Sequence, residues 1–245
     1  MSRDVSHTAR IRALVALGGN LGPVTQTLLR AVDELGSLPE TSLGRASPHF
    51  EFPAVGEQAG GVFRNAACEL FTAIPPKTLL HELQRLETRH GRTRDVRRGP
   101  RTLDLDLILY GDAILESAEL TVPHPACWYR RFVLDPLVEI APDAVHPVKR
   151  ATFQTLRNRL MLRPLPVGLC GATPEARADI VRRLRAEFPA VEWLPNWRLP
   201  DDPALLLWLG APTEWDSLPA PPRLAVPGTD PLPFLRDVLT AALGG

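Results

Sequence analysis

Lysine is almost missing from this 245-residue chain: only Lys77 and Lys149 supply it among 28 basic residues, and the rest are arginine. Against 28 acidic residues they leave a formal net charge of zero, which argues against a polybasic polymer binder but leaves room for a local patch. Cysteine is scarce and odd in number. Cys68, Cys127 and Cys170 lie far apart, with no C-x-x-C and no histidine at ligand spacing, so a disulfide scaffold is excluded and no structural zinc site is expected. Apolar runs such as Leu205–Leu209 fall far short of a membrane span, and Met1–Arg12 lacks the apolar stretch of a secretory signal. A soluble, cytoplasmic protein is expected. What is plentiful is apolar side chain, 44% of the chain, enough for a proper core. Proline is plentiful too: 12 fall in residues 1–163 and 14 in residues 164–245. The jump in density places a boundary near Pro164, between a domain over 10–163 and a small proline-rich extension over 164–245.

Apolar spacing orders the elements. Ile11–Leu17 reads as a buried strand entering a Gly18-Gly19-Asn20 loop, and Val24–Leu35 as an amphipathic helix stopped by Gly36. Thr41–Phe50 and Val62–Thr72 read as strands, separated by a loop with Pro53, Gly56, Gly60 and Gly61. Pro75-Pro76 opens a helix through about Arg89, and Leu103–Leu109 is a strand in which leucine alternates with aspartate. This β-α-β-β-α-β order is ferredoxin-like within an α+β fold, with added helices expected over 131–162. In the extension, Val167–Leu169 and Leu205–Leu209 read as strands, Pro174–Glu187 and Pro233–Leu243 as helices, together a small α/β unit.

The chemistry concentrates in Gly99-Pro-Arg-Thr-Leu-Asp-Leu-Asp106. Residues two apart on a strand share a face, so Asp104 and Asp106 stand side by side while Leu103, Leu105 and Leu107 face the core. Adjacent carboxylates repel unless a cation joins them, and Mg²⁺ suits one or two carboxylates plus substrate phosphates. A solvated edge strand would show the same spacing. Residues 85–101 hold seven arginines: Arg85, Arg89, Arg92, Arg94, Arg97, Arg98 and Arg101. Their planar forks suit phosphate oxygens. A basic loop or a nucleic-acid patch would show the same run, but the stacking aromatics that RNA binding asks of such a sheet are missing.

These residues carry a resemblance. Ala16-Leu-Gly-Gly-Asn-Leu21, Phe63-Arg-Asn-Ala-Ala67, Glu87 with Gly91-Arg-Thr-Arg94, Gly99-Pro-Arg-Thr-Leu-Asp-Leu-Asp106, Val122-Pro-His124 and Arg130-Arg-Phe-Val-Leu-Asp-Pro-Leu137 occur in family order. The chain resembles the 6-hydroxymethyl-7,8-dihydropterin pyrophosphokinases of folate biosynthesis over about residues 10–162. The resemblance implies transfer of the β,γ-diphosphate of ATP to the pterin hydroxymethyl group with release of AMP. It implies that Asp104 and Asp106 hold two Mg²⁺, that Arg92 and Arg101 bind the transferring phosphates, and that Arg94, Arg130, His124 and Glu87 serve the nucleotide. It further implies that Asn65 bonds the pterin edge, that Phe63 and Phe132 sandwich the ring, and that the loop of Asn20 shapes the pocket. Departures include Gly19 where the family usually has serine, Phe52 where threonine is frequent, and a short lid loop ending in Arg98.

Residues 164–245 lie outside the resemblance. Gly168-Leu-Cys-Gly-Ala-Thr-Pro before a helix outlines a phosphate loop, but it lacks Lys-Ser/Thr and places Glu175 where a phosphate would approach. The reading adopted is a module for intrachain packing or homodimerisation, with Trp193, Trp197, Trp208 and Trp215 as core or interface anchors. ATP and the pterin are the expected partners, with neither nucleic acid nor membrane. A non-catalytic pterin binder would keep the pocket but has no use for the metal pair.

Overall fold

The structure is a computed structural model that describes residues 9–55, 60–92, 99–194, 203–210, 223–228 and 230–245. Arg94, Arg97, Arg98, Gly56, Trp197 and Trp215 lie outside the described residues. The chain is mixed α and β, in two compact units: residues 1–128 with 132–154, and residues 129–131 with 155–245.

The first unit is built on a five-stranded antiparallel sheet. Its strands are β1 (Ile11–Gly19), β2 (Thr41–Ala46), β3 (Phe50–Phe52), β4 (Phe63–Thr72) and β5 (Asp104–Tyr110), in spatial order β2-β4-β1-β5 with β3 beside β4. β1 is central, and everything from Ala13 to Gly19 is buried, which is why it reads as an unbroken apolar run rather than an alternation. The helices α1 (Val24–Gly36) and α2 (Pro76–Arg89) supply Val24, Leu28, Ala31 and Leu35, and Leu79, Leu83 and Leu86, to one core with Val15, Leu17, Cys68, Leu70, Leu105 and Leu107. These spacings of three and four residues make a single apolar stripe on each helix.

The strand expected over Thr41–Phe50 is two strands. Pro48 has no N–H for a ladder, and Ser47 bridges the gap, its N–H donating to the Ala67 carbonyl at 2.9 Å and its hydroxyl accepting the Ala67 N–H at 2.9 Å. A bulge between Leu43 and Ala46 brings the backbone N–H of Arg45 to the buried Glu69 carboxylate, at 3.3 Å. Two short hairpins complete the unit, β6 (Leu115–Glu116) with β7 (Thr121–Val122), and β8 (Val145–His146) with β9 (Ala151–Thr152). The helical stretch expected over 131–162 is corrected: α3 (Arg131–Ile140) ends before Pro142, the β8–β9 hairpin with Pro147 follows, and α4 (Phe153–Leu160) begins after it.

The second unit holds a four-stranded parallel sheet in the order β11-β10-β12-β13. The strands are β10 (Leu165–Cys170), β11 (Val191–Leu194), β12 (Leu205–Trp208) and β13 (Arg223–Ala225), with α5 (Pro174–Leu184) and α6 (Leu232–Leu243) as its long helices. Parallel strands buried on both faces explain the continuous Leu205–Trp208 run. Thr173 caps α5, its hydroxyl accepting the Ala176 N–H at 3.3 Å. No helix among the described residues is long and apolar enough to cross a membrane.

Candidate active site

Register assembles the site. Gly18 on β1 lies opposite Asn65 on β4 and Asp104 on β5; one pleat further, Ala16 lies opposite Ala67 and Asp106. Directly opposed residues share a sheet face, so Asn65, Gly18 and Asp104 form one row and Ala67, Ala16 and Asp106 the next. Two strand spacings separate Asn65 from Asp104, about 10 Å. The row between them is lined by glycine and alanine, a floor without side-chain bulk.

Asp104 is held from two sides. Arg92 Nη1 lies 2.6 Å from its Oδ1, and Arg101 Nη1 donates to its Oδ2. Arg92 also donates to Glu87, a buried carboxylate at the end of α2 whose Oε1 accepts the Leu105 N–H at 2.8 Å. Glu87 therefore ties the last turn of α2 to the start of β5 and aims Arg92 at Asp104. Burial pushes the Glu87 pKa up, against the Leu105 N–H and the Arg92 charge that pull it down. Carboxylate repulsion along β5 is thus relieved by guanidinium groups.

Asn20 organises the neighbouring loop. Its Oδ1 accepts the Arg101 N–H at 2.9 Å, its Nδ2 donates to the Gly61 carbonyl at 3.3 Å, and the Asn20 and Leu21 N–H groups both donate to the Arg101 carbonyl. The approach requires glycine at position 19, where a Cβ would meet the Thr102 carbonyl oxygen at 2.7 Å. Asn20 thereby ties the loop after β1 to the backbone at Gly61 and Arg101.

The aromatic residues gather at the β3–β4 end. Phe52 opposes Phe63 in the ladder, and Phe63 shares a face with Asn65 two residues on. Phe132 packs edge-on against Phe52, centroids 6.3 Å apart at 65°. Phe52, which the sequence noted only as a departure, thus groups with Phe63 and Phe132; its signal is the Phe50-Glu51-Phe52 alternation. Asn65 is 8% exposed, and its Nδ2 has no hydrogen-bond partner among the described residues; the buried Thr102 Oγ1 likewise has none. A buried donor without a partner is costly to leave unmade.

His124 reaches β5 through the backbone. The bulge between β1 and β5 leaves Ile108 out of register, and its carbonyl accepts the His124 N–H at 3.0 Å. The His124 Nδ1 accepts the Ala126 N–H at 3.2 Å, which leaves Nε2 as the donor nitrogen of the neutral ring. Arg130 lies over the Tyr129 ring, 5.8 Å from its centroid, in the second unit.

The phosphate-loop outline in the extension is closed by backbone. A Cβ on Gly171 would sit 2.6 Å from the Gly210 nitrogen, so the turn after β10 packs directly on the residues after β12. Arg177 occupies the turn's carbonyls, donating to Gly171 at 2.8 Å and Ala172 at 2.9 Å. The α5 first-turn backbone and Thr173 hold the Glu175 carboxyl below its ordinary range, so a negative charge already sits at this helix start.

Asp104 and Asp106 on one strand face, Arg92 and Arg101 paired with Asp104, and phenylalanines near an amide with an unmet donor make up the candidate site. The family described as 7,8-dihydro-6-hydroxymethylpterin-pyrophosphokinase matches residues 14–142, more than half of the chain, and the chain belongs to that family. Three proteins named 2-amino-4-hydroxy-6-hydroxymethyldihydropteridine pyrophosphokinase are similar to it. The one from Synechocystis sp. is 46% identical over 135 residues, covering 55% of this chain and 69% of that protein. The Pseudomonas aeruginosa protein is 42% identical, covering 54% and 82%, and the Haemophilus influenzae protein 41% identical, covering 56% and 86%. Among solved structures, a Plasmodium falciparum HPPK-DHPS chain aligns at a TM-score of 0.47 and 11% identity over 85% of this chain; the match spans only 57% of that longer chain.

Proposed function

We propose that this chain transfers the β,γ-diphosphate of ATP to the hydroxymethyl group of 6-hydroxymethyl-7,8-dihydropterin and releases AMP, a step of folate biosynthesis in the cytoplasm. One observation carries the reading: Asn65, with its unmet Nδ2, and Asp104 stand in one row across Gly18 on the same sheet face, which supports a pterin at one end and a metal–phosphate site at the other. Membership of the family supports the same activity. The βαββαβ core is read as ferredoxin-like, which the β2-β4-β1-β5 order supports. Residues 10–163 are read as the pyrophosphokinase domain, and 164–245 as an extension that packs within the chain or in a homodimer.

Asp104 and Asp106 are assigned to two Mg²⁺, and the donor set fits, because two carboxylates leave the remaining positions to phosphate oxygens and water. When bound, the ions neutralise the polyphosphate and orient it. The chain's own groups do the rest. Arg92 and Arg101 leave Asp104 for the phosphates and balance the charge that develops on them, with Arg94, Arg130 and the His124 Nε2 as further donors. Asn65 fixes the pterin edge, and Phe63 and Phe132, with Phe52, grip its faces. The hydroxymethyl oxygen then forms a bond to the β-phosphorus and gives up its proton to water, as the bridge to the α-phosphate breaks and AMP leaves with the bridging oxygen.

The test is to mix the full chain with MgATP and the pterin and identify the nucleotide product. Pterin-dependent AMP is expected. ADP, or no product, would overturn the assignment.

A further inference from the structure

Three loops of the first unit meet at the side chain of Asn20: residues 19–21 after β1, 60–62 ahead of β4, and 100–102 ahead of β5. One planar carboxamide serves both distant loops. Its Oδ1 accepts the Arg101 N–H at 2.9 Å and its Nδ2 donates to the Gly61 carbonyl at 3.3 Å, partners 81 and 41 residues away. The backbone reinforces the first tie, because the Arg101 carbonyl accepts the Asn20 N–H at 2.9 Å and the Leu21 N–H at 3.1 Å. Both main-chain polar groups of Arg101 are therefore held from the β1 side. Three residues on stands Asp104, to which the Arg101 guanidinium donates. The second tie is just as close. Gly60 sits at φ 82°, and a Cβ there would lie 3.0 Å from Asn20 Nδ2 and 3.2 Å from Pro100 Cγ. Gly61 stands two residues before Phe63, the first residue of β4, and Asn65 follows on the same strand.

We propose that Asn20 is a positioning residue with two separable arms. Its acceptor fixes the Arg101 main chain and so delivers that guanidinium to the transferring phosphates. Its donor fixes the entry to β4 and so sets Phe63 and Asn65 for the pterin. A carboxamide offers an acceptor and a donor on one rigid plane; aspartate keeps only the acceptor, and alanine keeps neither. The inference rests on the pyrophosphokinase reading of the site. It goes beyond that reading by giving Asn20 an effect on both substrates through the backbone, without contact to either.

The test is steady-state kinetics of AMP release by the full chain as wild type, Asn20→Ala, Asn20→Asp and Gly60→Ala, with a urea midpoint for each. Asn20→Ala is expected to lower kcat about tenfold, because Arg101 balances charge that develops during transfer, and to raise pterin KM about tenfold. Gly60→Ala crowds Nδ2 without adding a charge and leaves the Arg101 tie in place. It should raise pterin KM about fivefold with kcat and ATP KM within about twofold. Asn20→Asp should raise pterin KM as Gly60→Ala does and hold kcat within about threefold. A residue serving stability alone would shift the urea midpoints without dividing kcat from pterin KM in this way. With wild type releasing AMP, kcat within about twofold in Asn20→Ala, or equal rises in both KM values in Gly60→Ala, overturns this inference and leaves the site reading intact. Wild type that releases no AMP overturns the site reading and this inference with it. If Asn20→Ala does not fold, the other two variants decide, and an unchanged pterin KM in both overturns the inference.

Discussion

The Asn65 side-chain oxygen lies over Gly18, so close that a Cβ at position 18 would come within 2.8 Å of it. Gly18 is therefore a packing requirement of the Asn65 side chain, separate from any need for positive φ. Gly18→Ala must push the Asn65 carboxamide off its place and its unmet Nδ2 off target. The expected result is a pterin KM raised about tenfold, near the loss of one hydrogen bond, with ATP KM changed less than about twofold. Equal rises for both substrates would mean that Asn65 does not face the pterin.

Asp104 and Asp106 should differ in stability and agree in activity. Spacing alone says that removing either charge relieves repulsion. The structure changes the expectation for Asp104, because Arg92 and Arg101 both lean on it and would face each other without it. Asp104→Ala is expected to lower stability by about 1–2 kcal/mol, the cost of leaving half-buried charges without their partner. Either Asp104→Asn or Asp106→Asn should reduce kcat by about two to three orders of magnitude. Urea midpoints and AMP release measure the two effects, and near-normal turnover in either variant would remove the metal assignment.

The same two ion pairs imply an order of binding. A divalent cation arriving alone competes with two guanidinium groups for Asp104, whereas a nucleotide's phosphates offer those arginines a better partner. Mn²⁺ titrated as a spin probe should bind at least about tenfold more tightly with a non-hydrolysable ATP analogue than without it, counting only the ion added by the protein. Equal affinities would show that the Asp104 pairs present no barrier.

How much of this was legible in the sequence depended on the range of each contact. The Asp104/Asp106 pair and its leucine backing follow from a period of two and need no fold. The helices over Val24–Gly36 and Pro76–Arg89 follow from stripes at three and four. By contrast, Glu87 gains its meaning from the Leu105 N–H 18 residues away, and Asn20 from the Arg101 N–H 81 residues away. Such ties leave no periodic trace. Nor does β13, three residues among prolines that becomes a strand only because β12 is beside it. Pro142 and Pro147, however, were visible breakers inside the stretch expected to be helical.

Acid should act on this fold through His146. The ring is 3% exposed, and its Nδ1 accepts the Lys149 N–H at 3.2 Å. Burial first, then the nearby Lys149 charge, lowers its pKa to about 4 from the ordinary 6.5. Between those values the unfolded chain holds a proton that the folded chain refuses, so unfolding takes up a proton and stability rises with pH. As pH falls from about 6.5 towards 4, on the order of 3 kcal/mol of stability should be lost. Carboxylates titrating near the lower end act in the same direction, so wild type alone would not isolate the histidine. The comparison with His146→Gln does, because those groups are common to both proteins. Whatever the substitution costs at pH 7, its stability should fall less steeply than that of wild type between pH 6.5 and 4.5. Parallel urea midpoints across that window would mean that His146 takes up its proton without unfolding.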